Sequence, residues 1–279
     1  MLISSVANGL GNPLPALLMT ITRLLLVYLP LVWLLPHWFG LDGLFIAAAA
    51  ANVLVGLGAL VWVKRKFRRG KNTRKAERRR KAMWEERYEG NHYLFGTEPN
   101  NFLRENSKGL PIGETLSLGE GEGKNAVFLA GLGHQVTALD ASENALLKAK
   151  QLAQQKRVRV NTLQTNLYDY QFEAGRWDCI VAIFCHLPSS IRKRVHQQIA
   201  HALRPGGVFI LEAYTPEQLQ YGSGGPPVKA LTMELAELRK ELAALKMIHA
   251  VELTRHIHEG EIRHGKSAVV QVIASKKAK

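Results

Sequence analysis

Cysteine is nearly absent: Cys179 and Cys185 are the two thiols in 279 residues, and no CxxC spacing joins them. That excludes a disulfide framework and a thiolate metal site, and two free thiols fit a reducing compartment. Acidic residues are outnumbered, 23 against 37 Lys and Arg, giving a net charge of +14. The excess is local. Residues 64–81, KRKFRRGKNTRKAERRRK, hold twelve cations and one Glu, residues 1–63 hold only Arg23 and Asp42, and the rest of the chain is left with +3. So small a balance over the remainder argues against nucleic acid as a partner. The run reads as a solvated linker, or as an arm that adheres to anionic lipid headgroups at roughly 1 kcal/mol per cation.

A basic n-region is missing at the start of the chain, which excludes a secretory signal peptide. Two apolar runs stand there instead, LPALLMTITRLLLVYLPLVWLL from Leu14 and GLFIAAAAANVLVGLGALVWV from Gly43. Each has about the 20 residues that a helix needs to cross a ~30 Å hydrocarbon core. With the short link PHWFGLD they predict a two-helix transmembrane hairpin over residues 1–63, against the other reading of a hairpin buried in a soluble core. The cations that follow place residue 64 onward on the cytoplasmic side of an inner or plasma membrane. Residues 64–82 are then a basic linker, either disordered or a continuing helix. The stretch ANGLGNPLPALLMTITRLLLVYLPL and the Gly-Leu-Asp-Gly-Leu-Phe link resemble the last two membrane helices of the multidrug and toxin extrusion (MATE) family. The resemblance implies a fusion remnant, because two helices cannot enclose a twelve-helix transport path.

From residue 83 to residue 279 the pattern alternates strand and helix. Thr115–Leu118, Gln135–Leu139, Val158–Leu163, Trp177–Ile183 and Val208–Ala213 read as strands, separated by helical stretches. Met247–Thr254 and Ser267–Ala274 read as a closing antiparallel pair around Glu259-Gly260. Such alternation predicts an α/β fold with a mostly parallel seven-stranded sheet covered on both faces.

The informative stretch is LSLGEGEGKNAVFLA at residues 116–130. Gly119, Gly121 and Gly123 form a GxGxG turn between a strand and a helix, where bare backbone can approach a ligand. Asp140 ends the next strand, about twenty residues on, at the place where a carboxylate meets a ribose. A pyrophosphate at a helix start prefers little negative charge nearby, yet this loop holds Glu120 and Glu122. Those carboxylates suit a zwitterion with an amino group and a sulfonium, which favours S-adenosylmethionine over NAD.

The motifs WEERYEGNHYLFGTEPNNFL (84–103), LSLGEGEGKNAVFLA, VTALDAS, WDCIVAIFCHLP, LRPGGVFILEAY and QYGSGGPP resemble the class I S-adenosylmethionine-dependent methyltransferases. Within them the likeness is to the tellurite-resistance-like (TehB-like) and thiopurine-like branch, and it covers essentially all of residues 83–279. It implies a Rossmann-like fold and a methyl transfer to a small-molecule acceptor, such as a thiol, a chalcogen oxyanion or a xenobiotic. It also implies roles: Gly119, Gly121 and Gly123 along the methionine moiety, Asp140 on the ribose, Asn166 and Leu167 by the adenine, and Phe184 and Cys185 beneath the cofactor. Many relatives carry an acidic residue where Ser117 stands, so Glu120 or Glu122 would have to take up the amino group. The alternative is a transport-associated membrane protein with a regulatory methyltransferase-like module.

His186, just after the fourth strand, is the candidate general base, or else a hydrogen-bonding residue at a helix start. Trp84, Arg87, Tyr88, Tyr93 and Phe95 are candidates for a substrate lid, whose aromatics and one cation suit an anionic or soft acceptor, or for a helix packed on the sheet. Tyr214 and Tyr221 could form a second wall. The histidines of the final hairpin, His256, His258 and His264, are expected to face solvent and are assigned no metal.

Overall fold

The computed structural model describes residues 21–278. Contacts divide the chain into two compact units, Met1–Arg79 and Arg80–Lys279. In the first, a π-helical stretch at Thr22–Tyr28 runs into helix α1 (Leu29–Leu34), followed by the short α2 (Pro36–Phe39). Helix α3 then runs from Asp42 to Arg87, 46 residues without a proline. Its Ala, Leu, Lys and Arg are strong helix formers, so nothing local stops it where the apolar residues give way to the cations.

This geometry corrects the membrane expectation. Among the described residues no helix is long and apolar enough to cross a membrane. The described part of the first apolar run, residues 21–35, changes helical type at Leu29. The second run is not an element of its own but the start of the helix that carries the basic segment. The hairpin and the placement at an inner or plasma membrane with a cytoplasmic domain are therefore withdrawn. Residues 1–20 of the transporter-like stretch lie outside the described residues, as do the side chains of residues 65–75, on which adhesion to anionic lipid rested.

The second unit continues through α4 (Asn101–Asn106), β1 (Glu114–Leu118), α5 (Lys124–Gly131), β2 (Gln135–Asp140), α6 (Glu143–Gln155), β3 (Val160–Gln164) and β4 (Trp177–Ile183). It closes with α7 (Ser189–Ala202), β5 (Leu203–Tyr214), α8 (Leu235–Glu241), β6 (Lys246–Glu259) and β7 (Arg263–Ser275). The seven strands lie in the order β3-β2-β1-β4-β5-β7-β6. Four pairings are parallel, while β5–β7 and β6–β7 are antiparallel. The sheet is thus mixed. The order reverses between β1 and β4, and the crevice outside the carboxyl ends of strands at such a point is where α/β sheets take ligands.

Central strands buried on both faces have to be apolar throughout. Leu116, Leu118, Ile180 and Phe209 pack against Ile191, Val195 and Ile199 of α7 on one face. Cys179, Val181 and Ile210 pack with Ala126 and Leu129 of α5 and with Phe102 and Leu103 of α4 on the other. Helix α6 is capped by Ser142, whose hydroxyl accepts from the Ala145 amide at 3.1 Å, and buries Ala145, Leu146, Ala149, Leu152 and Ala153 at helical spacing.

Candidate active site

The site begins where β1 turns into α5. Gly119, Gly121 and Gly123 have φ of 59°, 68° and 94°, a region other L-residues rarely enter. A Cβ on Gly119 would stand 2.8 Å from the Cys185 sulfur, so glycine there lets the turn close against the end of β4. A Cβ on Gly121 would stand 2.9 Å from the Tyr88 hydroxyl. The turn is therefore a cradle of bare backbone with Tyr88 above it.

The two acidic residues of the turn already have partners. One Glu120 oxygen accepts from the Asn125 and Ala126 amides at 3.0 and 2.9 Å, and the other accepts from the Ser117 hydroxyl. A carboxylate in that position satisfies otherwise orphaned N–H groups and the positive end of α5. Burial nevertheless pushes the Glu120 carboxyl up to about 7, against the opposing pull of those bonds. Glu122 accepts from the Leu94 and Phe95 amides, both at 3.2 Å, and from Lys148 Nζ at 3.0 Å. It ties the segment before α4 to the turn rather than pointing into the cradle.

Asp140 ends β2. Its Oδ2 accepts from the Gly121 amide and its Oδ1 from the Ser142 amide, both at 2.9 Å. Each carboxylate oxygen retains a further lone pair for a ligand hydroxyl. Burial raises the Asp140 carboxyl above its ordinary value, and the amides of Ser142, Gly121 and Ala141 pull it back.

Asn166 and Leu167 follow β3. The Asn166 side chain accepts from the Tyr168 amide at 2.9 Å and shapes a turn, while Leu167 is buried in the core. Arg194, with no sequence signal, holds this turn by donating to the Leu167 and Tyr168 carbonyls and lies 5.6 Å from the Tyr168 ring centroid.

At the end of β4, Phe184 adopts φ of 51°, a strained value for a bulky side chain. Its amide donates to the Glu212 carbonyl at 2.7 Å, and its ring stacks on Tyr214 at 4.6 Å. Cys185 is buried, and burial pushes its thiol up to about 12, so it stays protonated at neutral pH. The His186 ring stacks on Tyr214 at 5.5 Å. Burial, then Arg263, pushes the imidazole down to about 3, with the Leu231 carbonyl opposing weakly. Neither ring nitrogen reaches a partner at hydrogen-bond geometry. A neutral ring this weakly basic is poorly matched to general-base catalysis near neutrality.

A pH effect follows. The folded-state value of His186 lies below its ordinary 6.5, so between pH 6.5 and 3 the unfolded chain binds the extra proton and stability falls as pH falls. The slope is up to about 1.4 kcal/mol per pH unit. Urea unfolding at pH 7, 6 and 5 should show a steeper acid loss in the wild type than in His186→Phe. Parallel curves would mean that His186 titrates freely in the folded protein.

The aromatic segment is split. Trp84, Tyr88 and Phe95 form one cluster, with Trp84 and Tyr88 stacked at 5.5 Å. Arg87 is exposed and lies 5.1 Å over the Trp84 ring. Tyr93 donates to the Lys148 carbonyl at 3.1 Å and so packs on α6. Tyr214 is wholly buried, whereas Tyr221 sits on a loop, its hydroxyl donating to Glu217 at 3.3 Å.

The inward face of the final hairpin is what sequence reasoning missed. His256, His258 and His264 are exposed, but Glu259 and Arg263 turn toward the cradle. Glu259 accepts from Lys124 Nζ at 2.5 Å and from Asn100 Nδ2 at 2.8 Å, and Asn100 also donates to Glu212 at 2.6 Å. Arg255 binds Glu212 through two nitrogens at 2.8 and 2.6 Å. The alternation of strand side chains was the available signal. Among the described residues no group of three or more His, Cys, Asp or Glu is arranged to hold a metal ion.

Residues 115–207 match the family model described as a methyltransferase domain. The chain is similar to the 2-heptyl-1-hydroxyquinolin-4(1H)-one methyltransferase of Mycobacteroides abscessus, 26% identical over 137 residues. That match covers 48% of this chain and 60% of the relative's length. Among solved structures, the fold is similar to one described under the conversion of a disulfide bond into a thioacetal group during echinomycin biosynthesis. There the TM-score is 0.57 and the identity 19%, over 67% of this chain and 86% of the other. It is also similar to TehB from Haemophilus influenzae, with a TM-score of 0.53 and 19% identity over 64% of this chain and 62% of the other.

Proposed function

Because the chain carries a class I S-adenosylmethionine-dependent methyltransferase domain, we propose that it methylates a small-molecule acceptor and belongs to the TehB-like branch. The observation that carries this reading is the hydrogen bond from the Gly121 amide to Asp140. It joins the positive-φ turn to the end of β2, so that a backbone cradle and a ribose-directed carboxylate form one surface. These residues fit S-adenosylmethionine, which supplies an activated methyl group when bound. The glycine turn would lie along the methionine moiety and Asp140 would accept from the ribose hydroxyls. Asn166 and Leu167 would border the adenine, and Phe184 would back the reacting end. With Glu120 and Glu122 engaged elsewhere, the protein's contribution to catalysis is positioning and exclusion of water rather than acid–base chemistry.

The M. abscessus relative acts on a hydroxyquinolone, which makes an aromatic hydroxyl compound a reasonable acceptor to test beside thiols, thiopurines, selenite and tellurite. Calorimetric titration of the full chain should show binding of S-adenosylmethionine and S-adenosylhomocysteine, and the acceptor panel should show cofactor consumption with at least one compound. Tight NAD binding without S-adenosylmethionine binding would overturn the reading.

A further inference from the structure

Arg263 opens β7 and lies between two rings, 4.1 Å from the Phe95 centroid and 4.4 Å from that of Phe184. Its side chain is 12% exposed. Its one bond to a carboxylate is long, 3.4 Å to a Glu259 oxygen that Lys124 already holds at 2.5 Å. Arg255 on the same hairpin shows what a spent guanidinium looks like, with two bonds under 3 Å to Glu212. A guanidinium carries five N–H donors, and this one, mostly buried and with a single long bond to a carboxylate, keeps donors available to an anion.

Polar atoms without partners lie nearby. The Tyr214 hydroxyl is fully shielded and has no hydrogen bond, and neither do the two ring nitrogens of His186. Both rings pack with Phe184, the residue that Arg263 covers. Buried donors are normally satisfied, so three such atoms beside an underused cation mark a place where a ligand supplies the partners.

We propose that Arg263 holds the negative charge of an acceptor that binds already ionised, a small aromatic oxyanion or thiolate, with the Tyr214 hydroxyl and the His186 ring completing its hydrogen bonds. This rests on the methyltransferase reading. The acceptor's proton leaves to solvent when the anion forms beside Arg263, so no general base is required. In the transfer, the anion's electron pair forms the new bond to the methyl carbon, the sulfonium sulfur keeps the C–S pair as a neutral thioether, and no proton moves. The rings of Phe95 and Phe184 flank the guanidinium and Tyr214 stacks on Phe184, an environment that suits an organic anion better than a small, strongly hydrated inorganic one.

The test uses the full chain saturated with S-adenosylhomocysteine and two probes of similar shape, 4-nitrophenolate and the uncharged 4-nitroanisole, at a pH where the phenol is ionised. A charge-assisted hydrogen bond is worth roughly 1.5–3 kcal/mol. The wild type should therefore bind the phenolate at least about tenfold more tightly. Arg263→Gln should abolish that preference while leaving S-adenosylhomocysteine affinity within about twofold, and Arg263→Lys should restore part of it. An equal preference in wild type and Arg263→Gln, or binding of neither probe, overturns the proposal. So does a loss of S-adenosylhomocysteine affinity with the preference intact, which would assign Arg263 to the cofactor. Failure of the wild type to bind S-adenosylhomocysteine at all would instead sink the methyltransferase reading.

Discussion

Asp140→Ala should weaken S-adenosylmethionine binding by at least about tenfold. Two losses combine. A carboxylate that accepts from ribose hydroxyls contributes roughly 1.5–3 kcal/mol per charge-assisted bond, and 1.4 kcal/mol is a factor of ten in affinity. The same side chain also accepts from the amides of Gly121 and Ser142, so its removal frees the middle of the glycine turn from the end of β2. The domain should still fold, because the change lies at the open edge of the sheet and leaves both cores intact. Titration calorimetry beside a thermal melt separates the two consequences. A change in affinity under threefold in a folded variant would remove Asp140 from the cofactor site.

Arg192→Ala should cost about 3–5 kcal/mol of stability, the range found when one partner of a buried ion pair is deleted. Arg192 is 1% exposed and meets Glu241 through Nε at 3.1 and 3.0 Å and through an Nη at 2.8 Å. A further bond reaches the Thr232 carbonyl at 2.9 Å, and Glu241 also bonds His196 at 2.7 Å. Burial pushes the Glu241 carboxyl up, but His196 and Arg192 together hold it below its ordinary value. Deleting the arginine leaves that carboxylate with His196 as its remaining partner in the interface between α7 and α8. Arg192→Met combined with Glu241→Met should recover part of the loss, since an apolar pair leaves no buried charge, while His196 still loses its carboxylate partner. Urea unfolding at pH 7 measures both, and a single-variant loss under 1 kcal/mol would show that the pair contributes little.

The sequence made the strand–turn–helix around Gly119 legible because each signal there is local: apolar strand, positive-φ glycines, helix. Asp140 at the end of β2 was legible for the same reason. What stayed hidden depends on distance along the chain. Glu122 reads as a loop acid available to a ligand until the fold brings the Leu94 and Phe95 amides to it, 28 and 27 residues away. Arg263 and Glu259 read as polar hairpin residues, since alternation shows two faces without saying which is inward. His186 reads as an accessible side chain after β4, whereas the fold stacks its ring on Tyr214, where burial lowers its proton affinity. The membrane expectation erred in treating hydropathy windows as elements, where α3 carries one apolar run and its cationic sequel as a single helix.

The polar network at the cradle spans the domain's two ends. Asn100 bonds Glu259 across 159 residues and Glu212 across 112, and Lys124 meets Glu259 across 135. A chain emerging from the ribosome can form β1 through β5 with their helices before Glu259 exists. The glycine turn would then wait, with Lys124 lacking its carboxylate and Asn100 one of its two, for the last strands to be made. Contacts so distant in sequence are the slow ones in folding. Premature termination between β5 and β7 would thus yield a nearly complete parallel sheet without its closing charges, open at the edge of β5 and exposed to pairing with another copy.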